Sequence, residues 1–213
     1  MVKKIATVCL GMALGSALYA KDMSMSNVFI GLEVESTKLD TSIKLDANDL
    51  YLGQFDETSD SMTDYGLRIG AENEEWRTTL LYTYADNKDG GVKETTNKGS
   101  LLLDYFLWSS GGLDYDIKPY IGVHVGYMNY EVTDSVGLGI NRRIVDSSGM
   151  FYGGQLGVAM NVSEVLGFDL SYKYSGTSVD DDQLIVDGAG NSLAYESSLD
   201  NMGSIAFSVN YFF

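Results

Sequence analysis

The chain has 213 residues, among them 24 Gly, 15 Tyr and one Pro, and its 30 acidic against 14 basic residues give a formal net charge of -16. That balance excludes a nucleic-acid surface, because phosphate binding needs concentrated Lys and Arg. One Cys and one His exclude a disulfide framework and a His-rich metal cage, and so much Gly with so many aromatics fits neither a helical nor a disordered chain.

Residues 1–20 read as a secretory signal. Lys3 and Lys4 open it, an apolar stretch runs from Ile5 to Tyr19, and Ala20 precedes the polar pair Lys21-Asp22. Fifteen residues are too few for a comfortable spanning helix. Cys9 lies inside the apolar stretch behind Val8, which does not suit a lipoprotein acylation site. Cleavage would remove Lys3, Lys4, Cys9 and no acid, leaving residues 21–213 as one domain with a net charge of -18 and no cysteine.

Eight period-two segments follow, the signature of half-buried or lipid-facing strands. The first, 27–36, sets Val28, Ile30, Leu32 and Val34 against Phe29, Gly31, Glu33 and Glu35. The second, 63–72, sets Tyr65, Leu67 and Ile69 against Asp64, Gly66, Arg68, Gly70 and Glu72; the third opposes Trp76, Leu80, Tyr82 and Tyr84 to Arg77, Thr79, Leu81 and Thr83. In the fourth, Leu101, Leu103, Tyr105 and Leu107 oppose Leu102, Asp104 and Phe106. The fifth opens after Pro119, a residue suited to a strand start, and sets Ile121, Val123, Val125 and Tyr127 against Gly122, His124, Gly126 and Met128. The sixth pairs Tyr152, Leu156 and Val158 with Gly153, Gln155 and Gly157, and the seventh Phe168, Leu170, Tyr172 and Tyr174 with Asp169, Ser171, Lys173 and Ser175. The last sets Ile205, Phe207, Val209, Tyr211 and Phe213 against Ser204, Ala206, Ser208 and Asn210.

Short connections, such as Asn73-Glu74-Glu75 and Ser163-Glu164-Val165-Leu166, alternate with long ones at 37–61, 86–98, 130–149 and 177–200. Short turns at one rim and long loops at the other are the arrangement of an eight-stranded, antiparallel, up-and-down transmembrane β-barrel. An even strand number puts both termini on the periplasmic side. A soluble β-sandwich also alternates, but it would turn long charged residues outward. Here the polar face is small (Gly, Ser, Thr), and the apolar face carries Tyr or Trp near segment ends, as an interfacial girdle does.

The series Phe207, Val209, Tyr211 and Phe213, ending on an aromatic carboxy-terminus, resembles the signal by which the barrel-assembly machinery recognises bacterial outer-membrane proteins. With eight strands, residues 27–213 resemble the small barrels typified by the transmembrane domain of outer membrane protein A. The resemblance rests on pattern rather than on an invariant motif. It implies a bacterial outer-membrane location, contact with outer-membrane lipid and lipopolysaccharide, and a role in envelope integrity or surface interaction. No counterpart of the peptidoglycan-binding domain of larger members lies within these residues, so that anchoring role is not expected.

An eight-stranded barrel is about wide enough for its own side chains. Counting from the short-turn rim places Glu33, Arg68, Asp104, His124, Gln155 and Lys173 in one middle layer of the lumen, two acids balancing two bases. The runs Gly66-x-Arg68-x-Gly70, Gly122-x-His124-x-Gly126 and Gly153-x-Gln155-x-Gly157 suggest glycines making room above and below each large group. A polar plug is the preferred reading of this layer, and a gate in a narrow channel for small solutes or ions the alternative. Some eight-stranded barrels remodel lipid A, and the deacylase type carries Ser two residues from His; here that residue is Gly126, and His124 faces inward. No catalytic residue, cofactor or metal site is expected. The segments 37–61 and 177–200 hold six acids each, but Asp180-Asp181-Asp182 lacks the spacing of a calcium loop, so solvated loops with diffuse ion binding are expected. Gly137-Leu138-Gly139-Ile140-Asn141-Arg142 lacks the third glycine of a phosphate-binding loop. The mass of the protein recovered from the envelope fraction is expected to correspond to a chain beginning at Lys21; an intact mass retaining Met1–Ala20 would refute the signal assignment.

Overall fold

The structure, a computed structural model, describes residues 27–47, 50–89, 92–110, 115–136, 140–186 and 192–213. They form strands β1 (Asn27–Ala47), β2 (Leu50–Glu72), β3 (Trp76–Asp89), β4 (Val92–Phe106), β5 (Asp116–Val136), β6 (Ile140–Asn161), β7 (Leu166–Val186) and β8 (Ser192–Phe212). Each strand pairs with its neighbours in sequence, and β1 pairs antiparallel with β8 to close an all-β barrel. Residues 1–20 and Cys9 lie outside the described residues.

Local chemistry explains the short rim. Asn73 Oδ1 accepts from the amides of Glu75 (2.8 Å) and Trp76 (2.7 Å), closing a three-residue turn. Ser163 Oγ accepts from the Leu166 amide at 3.1 Å in the β6–β7 turn, and Ser110 Oγ from Ile117 at 2.9 Å before β5. At the chain end the Phe213 amide donates to the Val28 carbonyl (3.0 Å) and the Phe212 amide to that of Val165 (2.9 Å), tying β8 to β1 on one side and to the β6–β7 turn on the other.

The two faces are sorted as the alternation requires. Leu32 is 68% exposed, Val123 60% and Phe207 49%, whereas Arg68 is 3% exposed and Asp104 0%. A water-soluble sandwich would show the reverse. Trp76, Tyr84, Tyr127, Tyr152, Tyr174 and Tyr211 are all exposed on the outside, where amphipathic rings suit a membrane interface. Burying this belt in acyl chains, not against a second sheet, is the only way to remove it from water.

The long connections are largely hairpin extensions of the strands: Leu50-Tyr51-Leu52 and Leu184-Ile185-Val186, which the sequence allows either as such extensions or as small caps, stand in β2 and β7. The β1–β2 ladder continues from Asn27↔Glu72 to Ala47↔Leu50, β5–β6 as far as Val136↔Ile140, and β7–β8 as far as Val186↔Ser192. Segments 37–61, 86–98, 130–149 and 177–200 are thus largely ladder. Above the apolar belt a strand needs a backbone partner but no dry face, so period-two alternation fades while pairing persists. Register shifts at Thr41/Ile43, Leu45/Asp46, Val132/Thr133 and Gly176/Val179 mark this stretch. The side chains of the acidic residues in 37–61 and 177–200, except Asp200, lie outside the described residues.

Pairing is not continuous around the long rim. β2 and β3 part above Asp64↔Ala85, and β6 and β7 above Phe151↔Thr177. Two four-stranded sheets therefore rise from one closed barrel: β7-β8-β1-β2 and β3-β4-β5-β6. Placing a charge on the belt, as in Val123→Arg, is expected to destabilise the barrel folded into lipid vesicles by about 2–4 kcal/mol, read by urea titration. An unchanged midpoint would contradict lipid exposure of this face.

Candidate functional site in the barrel lumen

The lumen is where the sequence concentrates its chemistry. Six carboxylates (Glu33, Glu35, Asp64, Glu72, Asp104, Asp169), five permanent cations (Arg68, Arg77, Lys98, Lys118, Lys173) and His124 are buried in it among the described residues. So narrow and low in dielectric a space tolerates ions only when they are paired, and near-equal numbers make that possible.

Two clusters result. Toward the short rim, Arg77 on β3 donates from Nε to Asp104 Oδ2 (2.9 Å) and from Nη1 to Asp169 Oδ2 (2.6 Å). Its guanidinium lies 4.4 Å from the centre of the Tyr120 ring and 5.5 Å from that of Phe106. Tyr120 donates to the other Asp169 oxygen at 2.8 Å, Gln155 Nε2 donates to Asp104, and Lys118 pairs with Glu72 at 3.3 Å. Toward the long rim an ion chain of alternating sign crosses the lumen. Arg68 meets Glu33 (3.1 Å), Glu33 meets Lys173 (2.5 Å), Lys173 meets Glu35 (3.1 Å), Glu35 meets Lys98 (3.6 Å) and Lys98 meets Asp64 (3.1 Å). Thr37 donates to Asp64 at 2.5 Å, and Arg68 also reaches the Ser208 hydroxyl.

The six residues expected in one layer are all buried, but they do not form one group. Glu33, Arg68 and Lys173 belong to the long-rim chain, Asp104 and Gln155 to the Arg77 cluster, and His124 contacts Ser175. Counting from the rim ignores strand tilt: a ladder row such as Asp104, Gly122, Gln155 and Lys173 runs diagonally up the wall, so equal counts do not make a layer, and Lys173 ends beside Glu33 while Asp104 ends beside Arg77. Arg77, Lys98, Lys118, Glu35, Asp64, Glu72, Asp169 and Tyr120 were not in the expected layer. Arg77 carried a legible signal, being the one long charged side chain on the inward face of β3.

Glycine also works differently from the expectation. Each makes room for the residue directly across the ladder rather than above and below on its own strand. Gly31 faces Arg68, Gly122 faces Asp104, Gly157 faces Tyr120 and Gly70 faces Phe29. A methyl group on Gly31 would lie 2.9 Å from Arg68 Cγ, on Gly157 2.6 Å from Tyr120 Cζ, and on Gly70 2.6 Å from Phe29 Cζ. At these pairs a large side chain stands opposite none, whereas Arg77 faces Asp104 and Gln155 faces Lys173.

Buried apolar residues flank this polar filling toward both ends. Leu39, Met62, Met128, Phe151, Val179, Leu199 and Met202 form a buried cluster at the long-rim end. Phe106, Tyr120 and Ala159 pack together at the other end, and Phe29 meets Phe212 edge-on at 5.6 Å. A cavity of about 30 Å³ persists between Glu35, Lys98, His124, Phe151, Lys173 and Ser175, room enough for water beside these polar groups.

His124 Nε2 lies 2.7 Å from Ser175 Oγ. Sequence reasoning found no nucleophile–base pair, because it sought the serine on the same strand; the partner is on β7, 51 residues away. The geometry is that of a dyad, yet His124 Nδ1 has no hydrogen-bond partner among the described atoms, so no carboxylate orients the ring. The adjoining space is lined by buried charged side chains that are held in ion pairs. Among the described residues, no group of three or more His, Cys, Asp or Glu is arranged to hold a metal.

No known protein family matches the chain, and no curated protein does. Solved structures do. Outer membrane protein OprG from Pseudomonas aeruginosa superposes with a TM-score of 0.59 at 18% identity, over 88% of this chain and 96% of that one. Neisserial surface protein A (NspA) superposes with a TM-score of 0.56 at 16% identity, over 89% of this chain and 100% of that one. At these identities the likeness is one of architecture: the chain has the fold of the small eight-stranded outer-membrane β-barrels.

Proposed function

We propose that this protein is a non-enzymatic bacterial outer-membrane barrel with a sealed lumen, serving envelope integrity or contact at the cell surface. One observation carries the reading: the lumen is filled by paired ions and flanked by apolar clusters toward both ends. A conducting path would need water beside the charges from rim to rim, and an ion-selective one an excess of one sign. Neither suits six carboxylates locked against five cations. What remains available for interaction is the outside, meaning the apolar belt and the two sheets that rise above it. In this reading the signal at residues 1–20 exports the chain, the terminal Phe207-to-Phe213 series engages the barrel-assembly machinery, and the long sheets face outward beside lipopolysaccharide.

The second reading, a hydrolase, is favoured by the His124–Ser175 contact alone. The burial of Ser175 inside the barrel and the unsupported imidazole weigh against it.

In planar bilayers the purified barrel is expected to stay silent, and Arg68→Ala and Lys173→Ala to produce no change in single-channel activity. Discrete openings gained or lost in either variant would establish the gate instead. Arg77→Ala leaves Asp104 and Asp169 buried without their shared cation and is expected to cost about 3–5 kcal/mol in urea titration. A fluorophosphonate probe is expected to leave Ser175 unmodified; labelling abolished by His124→Ala would revive the hydrolase.

A further inference from the structure

Among the described residues the outer surface carries a broad, open groove. It has a volume of about 640 Å³ and runs across β3 to β7 on the lipid-facing side. Its lower wall is a ladder row of bulky side chains: Trp76, Tyr105, Ile121, Leu156 and Tyr172 stand in successive cross-strand register. The row above reads Leu103, Val123, Gly154 and Tyr174. The missing side chain at Gly154 makes the gap.

That glycine is unlike those in the lumen. A methyl group on Gly154 would meet only the Gly122 carbonyl oxygen, at an ordinary 3.7 Å, and its backbone is not in a left-handed conformation. Neither packing nor conformation demands Gly here. A methyl group on Gly99 or Gly176 would likewise meet no obstacle, but Gly154 is the one of the three that lines this groove, so there the bare backbone lies open to whatever packs against the belt.

We propose that this groove binds one acyl chain of a phospholipid whose headgroup is zwitterionic and carries an ammonium, seated at the short-turn rim. The assignment rests on the membrane reading above. The groove lies wholly within the apolar belt, so hydrocarbon is the material that reaches it. It is open along its length and lined by aromatic and aliphatic side chains, a shape that suits a chain lying against the wall and not a compact ligand enclosed by it. Strand tilt carries the row diagonally down to Trp76 and Tyr105, whose rings stand 4.8 Å apart at the start of β3. A headgroup there meets the exposed Glu74 and Glu75, while the described bases of this rim, Arg77 and Lys118, are buried in their own ion pairs. Carboxylates favour a headgroup with an ammonium over a purely anionic one.

The test uses Trp108→Phe, which leaves Trp76 as the sole tryptophan, folded into phosphatidylglycerol vesicles containing rising fractions of phosphatidylethanolamine with brominated chains. Half-maximal quenching of Trp76 is expected at a brominated fraction about fivefold lower than in the same protein carrying Gly154→Leu, the loss of one or two methylene contacts. Gly154→Ala, whose added methyl is sterically permitted, is expected to fall between and carries the test if the leucine variant does not fold. Val125→Leu, outside the groove, is expected to leave the curve unchanged. Coincident curves for all variants would overturn the site in favour of ordinary annular lipid. Equal affinity for brominated phosphatidylglycerol would overturn the headgroup assignment. A dimer in native mass spectrometry that Gly154→Leu abolishes, with quenching unaltered, would overturn the lipid in favour of a second copy. Absence of quenching by any brominated lipid would instead refute membrane burial of the belt, a distinct failure.

Discussion

The guanidinium of Arg77, shared between Asp104 and Asp169 and laid over Tyr120, is the contact on which the interior turns. An unpaired ion in so dry a space would cost several kcal/mol, so the charge must be met from more than one side. It is met from β4, β5 and β7 at once. The long-rim chain from Arg68 to Asp64 repeats the principle, each internal member touching opposite charges on both sides. Such a filling is bought with space, and the glycines across the ladder from Arg68, Asp104 and Tyr120 provide it.

The outside obeys a simpler rule. Leu32, Leu67, Val123, Leu156 and Phe207 are exposed because the solvent there is hydrocarbon, and no internal packing constrains their shapes. That freedom is why a vacancy such as the one at Gly154 stands out: inside the barrel a missing side chain is explained by its neighbour, and outside it is not. The proposed sealed lumen and the proposed lipid groove are thus two consequences of one sorting of residues between faces.

The alternation of the eight segments was sufficient to read the topology, the closing pair and which face is which. Val28-Ile30-Leu32-Val34 against Phe29-Gly31-Glu33-Glu35 sorts outward and inward as the structure has it. What alternation could not convey was strand length and height. Lys98 fell in a stretch read as loop, although it stands in β4 and pairs with Asp64, because pairing above a membrane imposes no pattern on side chains. Height was lost to tilt, which separated Glu33 from Asp104 despite equal counts from the rim. Ser175 escaped for a third reason: a hydrogen bond between β5 and β7 spans an intervening strand, and no sequence spacing encodes that.

Arg77 and Asp169 are 92 residues apart in the chain, and β3 and β7 are not neighbours in the wall. Their bond therefore belongs to no single hairpin, whereas Arg77 and Asp104 already face each other on adjoining strands. A contact of the first kind ties opposite walls of the cylinder together across its axis, so its loss is felt by the cross-section as a whole and not by one pair of strands.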